Sequence, residues 1–218
     1  MILYYTHNAK PRGFLERCYN YHKQQAHMVG EYFKAVVAEK IGPCDEVFTF
    51  NKDFPKYADI YQRILHGLKG IPDEEPVFLC EDDTLYHNTR YHRKIECPWT
   101  IIYNINLCYI GARGFVWHMR GGIALSQAMG TASAMRHNIG LKLDACLNGE
   151  LACVEPCSGQ ERDYRSDTAH TPYPSVDFRT DYNATWSLPE NVEYFEDLLG
   201  WPSASQLWGK LYEGRDEG

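Results

Sequence analysis

An apolar run of strand length that ends abruptly in three adjacent carboxylates constrains this 218-residue chain most strongly. The run covers residues 76–80, and Glu81, Asp82 and Asp83 follow it. A short apolar run between turn signals is typical of a buried strand in a parallel sheet, and such sheets bind ligands at the carboxyl ends of their strands. Adjacent carboxylates repel one another unless a cation or hydrogen-bond donors compensate them. The run therefore predicts either a Mg²⁺ or Mn²⁺ site completed by a substrate phosphate or a solvated acidic loop.

The segments before this run alternate between strand-like and helix-like patterns. The predicted elements are a strand over 1–6, a polar turn over 7–13, helical structure over 14–41, a strand over 46–50 and an amphipathic helix over 57–68. Gly30 marks a break or a kink in the long helical segment. This alternation predicts a parallel sheet with right-handed crossovers. No Gly-x-Gly-x-x-Gly pattern is present, which argues against a Rossmann dinucleotide site.

The second half of the chain is less regular. Its predicted features are a basic segment over 87–94, a strand over 99–110, a returning strand over 115–118, a helix-like stretch over 124–147, a polar lid or structured extension over 159–187, a short helix over 194–199 and a final helix with Trp201, Leu207, Trp208 and Leu211. The two strands predict an antiparallel hairpin at a sheet edge. We expect one domain over 1–218, with a nucleotide-binding half (1–87), an acceptor half with a lid (88–185) and a C-terminal extension (186–218).

Charge and cysteine usage limit the classes of partner and compartment. The net charge of −7 argues against a large basic surface for nucleic acid or anionic lipid, although it leaves room for a local basic groove. The 8 cysteines are scattered without a Cys-x-x-Cys pair, and Cys80 and Cys108 lie in apolar runs, as buried thiols do. A single disulfide or a Cys/His metal site is the alternative. With no secretory signal pattern and no membrane-length apolar run, we expect a cytoplasmic protein.

Several segments resemble small family-two-like glycosyltransferases of bacteria and phages, which have the GT-A fold and an acidic DxD loop. The resemblance is specific over 57–87 and loose over 1–185. Residues 81–87 are similar to the Glu-Asp-Asp-Val-Leu-Tyr-His run of these enzymes. The other similar segments are the helix 59–68, Tyr103–Asn106, Glu155-Pro156, Asp177–Arg179 and Asn183–Thr185. Thr180 and Cys157 depart from the pattern, because the family has a histidine and a glycine there.

The resemblance implies an α/β, GT-A-like (Rossmann-like) fold with a mostly parallel sheet flanked by helices and an antiparallel edge hairpin. It also implies a Mn²⁺ or Mg²⁺ ion that bridges the two phosphates of a nucleotide-sugar donor. The expected metal ligands are Asp83, Glu81 and, because Thr180 replaces the family histidine, His170 or Asp181. The expected donor-binding residues are Thr6, His7, Asn8, Glu81, Asp82 and Arg179.

An inverting transferase also needs a carboxylate base near the acceptor hydroxyl. By position the candidates are Asp144, Glu150, Glu155 and Asp163, and Glu155 is favoured because it also matches the family pattern. Asp144 is the second choice. A retaining mechanism would need no such base, and the sequence leaves the two mechanisms open.

The acceptor and the reaction class have alternatives. A hydroxymethylated pyrimidine in phage-type DNA would be held by the basic run 90–94 with Tyr86, Tyr91 and Trp99, in which case a phage-encoded protein would act in the host cytoplasm. A saccharide or a small metabolite is the other acceptor. Two further classes are a non-catalytic nucleotide-binding module, motivated by Thr180, and a metal-dependent phosphohydrolase that uses the same acids.

Overall fold

The structure is a computed structural model that describes residues 1–6, 10–42, 45–48, 56–117, 124–149, 165–179 and 192–214. The first half contains β1 (Ile2–Thr6), α1 (Arg12–Val29), β2 (Phe33–Val37), β3 (Asp45–Val47), α2 (Lys56–Gly67) and β4 (Pro76–Glu81). The second half contains β5 (Thr84–Leu85), β6 (Thr100–Asn104), β7 (Leu107–Gly111), β8 (Gly114–Trp117), β9 (Ala128–Thr131), α3 (Ala132–Leu147), β10 (Arg165–Ala169), β11 (Ser175–Phe178) and α4 (Ala204–Trp208). Short 3₁₀ helices span Asn88–His92 and Leu125–Gln127, and a π-helical turn spans Gly209–Glu213.

Seven strands form the main sheet in the order β10-β6-β9-β4-β1-β2-β3. All neighbours pair in parallel except β9, which is antiparallel to both β4 and β6. Strand β4, with its acidic end, therefore lies at the centre of the sheet. The predicted mostly parallel α/β sheet is confirmed.

Helices cover both faces of this sheet because its strands alternate in side-chain direction. In β1, Leu3 and Tyr5 join the core cluster that α2 and α3 cover. Ile2 and Tyr4 point to the opposite face, which packs against Tyr19 and Ala26 of α1. Both faces are apolar, as expected of a sheet buried on two sides.

A second sheet of four strands, in the order β5-β11-β7-β8, packs on the other side of α1. The predicted hairpin forms between β7 and β8, with Gly111 opposite Gly114, and it lies at the edge of this smaller sheet. Phe14 and Cys18 of α1 share one apolar cluster with β7, β8, β11 and the C-terminal segment. Helix α1 is thus the common wall between the two sheets.

The helix predicted over 14–41 was wrong beyond residue 29. Helix α1 stops at Gly30, whose φ of 72° is left-handed and ends the helix in the usual glycine C-cap. Residues 33–37 then form β2 and pair in parallel with β1. The apolar residues here match helical spacing, but they include β-branched Val36 and Val37, which suit a buried strand.

Three further segments differ from their predicted structure. Residues 99–110 form two strands in two different sheets, because Asn104 bonds the backbone of Asn106 and turns the chain between them. The helix-like stretch from 124 contains strand β9, which fills the slot between β4 and β6. Residues 194–199 form no helix, since Phe195 pairs with Phe115 through an isolated bridge.

Several other predictions are settled by burial and pairing. Cys80 and Cys108 are buried thiols, as predicted. Residues 165–179 supply strands to both sheets, which makes this part of the polar segment a structured extension. A final helix, α4, forms and buries Leu207. Within the ranges described above, no helix has both the length and the apolar character needed to span a bilayer.

Candidate active site

The acidic loop lies where the central strand β4 meets its parallel neighbour β1. In the register of the two strands, Tyr5 is opposite Glu81. Thr6, the last residue of β1, therefore lies beside Asp82, the first residue after β4. Strand β5 begins directly after Asp83 and carries the chain into the second sheet. This is the edge of an open parallel sheet at which ligands bind.

Asp82 is held from both sides by side chains that precede helix α1. The hydroxyl of Thr6 donates to one oxygen of Asp82, and the ammonium of Lys10 donates to the other. Lys10 Nζ also lies 2.7 Å from Asp83 Oδ2. All four residues are at most 9% exposed. Sequence reasoning missed Lys10, whose only signal was a basic residue in the turn after the first strand.

The close carboxylates perturb one another's protonation. Burial of the Glu81 carboxyl, followed by the negative charge of Asp83, raises the pKa of Glu81 to about 8. Glu81 therefore favours its protonated form near neutral pH. For Lys10, burial by itself lowers the pKa, but Asp82 and Asp83 outweigh it and raise the pKa above its usual value. Lys10 therefore favours its charged form in this loop.

Strand β11 brings a further ion pair to the same place. Asp177 is opposite Thr84 in the antiparallel pairing with β5, and the backbone N–H of Phe178 donates to the carbonyl of Asp83 at 2.7 Å. The Arg179 guanidinium lies 2.7 Å from Asp177 Oδ2 and 4.1 Å above the ring of Tyr109. Burial lowers the pKa of Arg179, but Asp177 foremost, then Tyr109 and Asp83, raise it overall.

These groups leave an excess of negative charge at the edge of the sheet. The carboxyl groups of Asp82, Asp83 and Asp177 face two basic side chains, Lys10 and Arg179. Acidic groups therefore outnumber basic groups here. A diphosphate approaching this edge would be repelled unless more positive charge came with it.

The chemistry of this donor set fits a divalent cation, because carboxylate oxygens are the ligands that Mg²⁺ and Mn²⁺ prefer. In the arrangement seen here, Lys10 takes up oxygens of both Asp82 and Asp83. Across the described ranges, no three His, Cys, Asp or Glu side chains are grouped so that they could hold a metal as they stand.

The other predicted site residues either lie away from the acidic loop or fall outside the described residues. His170 is exposed after β10, a strand three positions from β4, which corresponds to roughly 14 Å across the sheet. Asp144 is exposed on α3. His7, Asn8 and Glu155 lie outside the described residues, as do Glu150, Asp163 and Asp181. Of the predicted set, the structure brings together Thr6, Glu81, Asp82, Asp83 and Arg179.

The segment predicted to hold a nucleic-acid acceptor is internal in part. Arg90 is 1% exposed, donates to the carbonyls of Ser126 and Ala128, and lies 4.0 Å above the Tyr86 ring. Tyr86 and Tyr91 are buried as well. Arg90, Tyr86 and Tyr91 therefore present no surface to a phosphate or a base, and this part of the acceptor prediction was wrong.

Two neighbours of that segment also have structural explanations. Trp99 is exposed and directly precedes β6. The carbonyl of its neighbour Pro98 accepts a hydrogen bond from Thr131, and Thr131 is opposite Pro76, at the end of β4 far from the acidic loop. Trp99 therefore lies at the sheet edge opposite the acidic loop. His87 caps the 3₁₀ helix at 88–92 and packs on Tyr173, with ring centroids 4.2 Å apart.

The segment Tyr103–Asn106, one of those that resemble the glycosyltransferase family, forms a polar junction between the two sheets. Asn104 is fully buried, and its side chain contacts polar groups of Asn106, Gln127, Thr171 and Ser175. Asn106 Nδ2 in turn donates to the Thr171 carbonyl at 2.8 Å. The junction fixes the segment that leads from β10 into β11, and so it positions Asp177 and Arg179.

The order of strands, the flanking helices and the acidic loop at the end of β4 define a GT-A-like fold. The chain is similar to a solved structure, "a glycosyltransferase involved in the glycosylation of the major capsid of PBCV-1", with a TM-score of 0.53 and 10% sequence identity. The match covers 81% of this chain and 91% of that one. No protein-family model matches the sequence, and no curated protein matches it either.

Proposed function

We propose that this protein is a glycosyltransferase that moves a sugar from a nucleotide-sugar donor to a hydroxyl acceptor. The observation that carries the proposal is the convergence of Thr6, Lys10, Asp82, Asp83 and Arg179 at the carboxyl end of β4. The GT-A-like fold supports it, although fold alone does not specify a reaction.

In this proposal the acidic loop and the two cations divide the work on the donor. Asp82, held by Thr6, faces the nucleoside side, and Lys10 and Arg179 are the cations within reach of the diphosphate. Asp82 and Asp83 would hold Mn²⁺ or Mg²⁺, which when bound offsets the negative charge of the departing diphosphate. Arg179 suits a bidentate contact with a phosphate because its guanidinium is planar and always charged.

The proposed base for an inverting reaction is Glu155. Asp144 is a weaker choice because its side chain is exposed on α3.

For the acceptor, we favour a saccharide or a small hydroxyl compound over hydroxymethylated DNA. Arg90, Tyr86 and Tyr91 are buried, and the net charge of −7 disfavours a polyanion. Of that run, His92, Arg93 and Lys94 are exposed.

The proposal is tested by following product release from a panel of nucleotide sugars with Mn²⁺ or Mg²⁺. A transferase releases a nucleoside diphosphate from one donor, and Asp83→Asn and Glu155→Gln should each lower kcat at least about a hundredfold. Asp73→Asn is the control, because Asp73 is an exposed acid paired with Arg136, and it should retain activity. Release of inorganic phosphate from simple phosphoesters would instead identify a phosphohydrolase, and binding without turnover would identify a nucleotide-binding module.

A further inference from the structure

Lys10 occupies the position at which the acidic loop would hold a metal. Its ammonium contacts Asp82 Oδ1 and Asp83 Oδ2, and the residue is 9% exposed. A lysine so nearly buried is retained as a charged group only because these two carboxylates pair with it. The loop therefore already contains a cation of its own.

A divalent ion and this ammonium cannot share the same oxygens. Both would lie within a few ångströms of each other, where like charges repel strongly in a buried site.

We propose that Lys10 is the resident cation of the acidic loop, that a divalent metal binds Asp82 and Asp83 only by displacing it, and that the displaced ammonium then pairs with the diphosphate of the donor. The last step rests on the proposed function, whereas the displacement does not. The metal and the nucleoside diphosphate then favour the same position of the Lys10 side chain. The two ligands therefore bind cooperatively, and the coupling is reciprocal.

The first test is Mn²⁺ binding without any nucleotide, measured by calorimetry on the wild type, Lys10→Met and Lys34→Met. Lys34 is a matched control, because it is 7% exposed and its ammonium lies 3.1 Å from the Glu46 carboxylate. This pair is not part of the acidic loop. Removing the competing charge should strengthen Mn²⁺ binding by at least about tenfold in Lys10→Met and leave Lys34→Met like the wild type. Equal or weaker binding by Lys10→Met would overturn the displacement.

The second test needs only the wild type, in case Lys10→Met fails to fold. Acetic anhydride acetylates exposed amines, and peptide mass spectrometry reads each lysine separately. Lys10 should react slowly in metal-free protein and several-fold faster at a Mn²⁺ concentration shown by calorimetry to saturate, with Lys34 unchanged. An unchanged Lys10 rate with metal bound would overturn the displacement.

The proposed pairing of Lys10 with the donor diphosphate is tested by titrating Mn²⁺ in the presence and absence of uridine, guanosine and cytidine diphosphates. In the wild type, one nucleotide should tighten Mn²⁺ binding by roughly tenfold, a typical coupling between two ligands, and Lys10→Met should lose most of this coupling. Absence of coupling in the wild type would overturn the pairing of Lys10 with the diphosphate, while the displacement of Lys10 by metal would still stand. Failure of turnover alone would count against the proposed function and not against Lys10 displacement.

Discussion

Replacing Asn104 by alanine should destabilise the protein by about 4 kcal/mol. Asn104 is fully buried, and its amide lies 3.1 to 3.3 Å from six polar atoms of its neighbours. A primary amide has two protons and two lone pairs, so about four of these hydrogen bonds form at once. Each contributes about 1 kcal/mol net, and the orphaned partners on Gln127, Thr171 and Ser175 are buried. The loss is a large fraction of the roughly 5–15 kcal/mol that stabilises a domain.

The assay is urea denaturation followed by tryptophan fluorescence, which the 5 tryptophans of the chain allow. Asn106→Ala is the matched control, because its side chain donates one bond, to the Thr171 carbonyl at 2.8 Å. It should lose about 1 kcal/mol. If Asn104→Ala cost no more than Asn106→Ala, the polar junction would not hold the two sheets together, and the reasoning would be refuted.

Three further predictions concern protonation, a tight turn and a buried cation. Folding raises the pKa of Glu81 from 4.5 to about 8, so the stability that its protonated form contributes is present at low pH and is lost as pH rises between these values. Glu81→Gln should therefore gain thermal stability relative to the wild type from about pH 5 to pH 9. A difference in melting temperature that stayed the same over this range would contradict the prediction. Gly200 has a φ of 86°, and an added Cβ would overlap the Tyr173 ring. Gly200→Ala should therefore lower the free energy of unfolding by roughly 2–4 kcal/mol in urea denaturation. Gly30→Ala is the control and should lower it by about 1 kcal/mol, because the φ of Gly30 is similar but the space around it is open. Arg90→Ala removes two hydrogen bonds to buried carbonyls and should lower the urea midpoint by the equivalent of about 2–4 kcal/mol; an unchanged midpoint would show that the buried guanidinium contributes nothing.

Local patterns were sufficient wherever one element determined its own structure. Strand β1, helix α2 and strand β4 with its acidic end were predicted, because apolar period and turn residues are read over a few positions. The predicted helix over 14–41 failed at β2, where Phe33 and Val37 match helical spacing as well as a strand. What decides between them is pairing with β1, a contact that local spacing does not contain.

The candidate site was predictable only in part for the same reason. Lys10 lies 72 residues from Asp82 along the chain, so nothing in its own turn indicated that it would enter the acidic loop. Asp177 was singled out only through the family resemblance, and its place beside the loop depends on the pairing of β11 with β5. Arg90 looked like part of a basic surface because burial of a single guanidinium depends on the carbonyls that tertiary structure brings to it.

The central claim is that the acidic loop at the end of β4 binds a nucleotide-sugar donor. Calorimetric titration of nucleoside diphosphates with Mn²⁺ tests it most directly, on the wild type, on Asp83→Asn and on Asp73→Asn as a control, since Asp73 is an exposed acid paired with Arg136. We expect one nucleotide to bind the wild type and Asp73→Asn alike, and to bind Asp83→Asn at least about tenfold more weakly. Wild-type affinity in Asp83→Asn, or no binding of any nucleotide to the wild type, would contradict the claim.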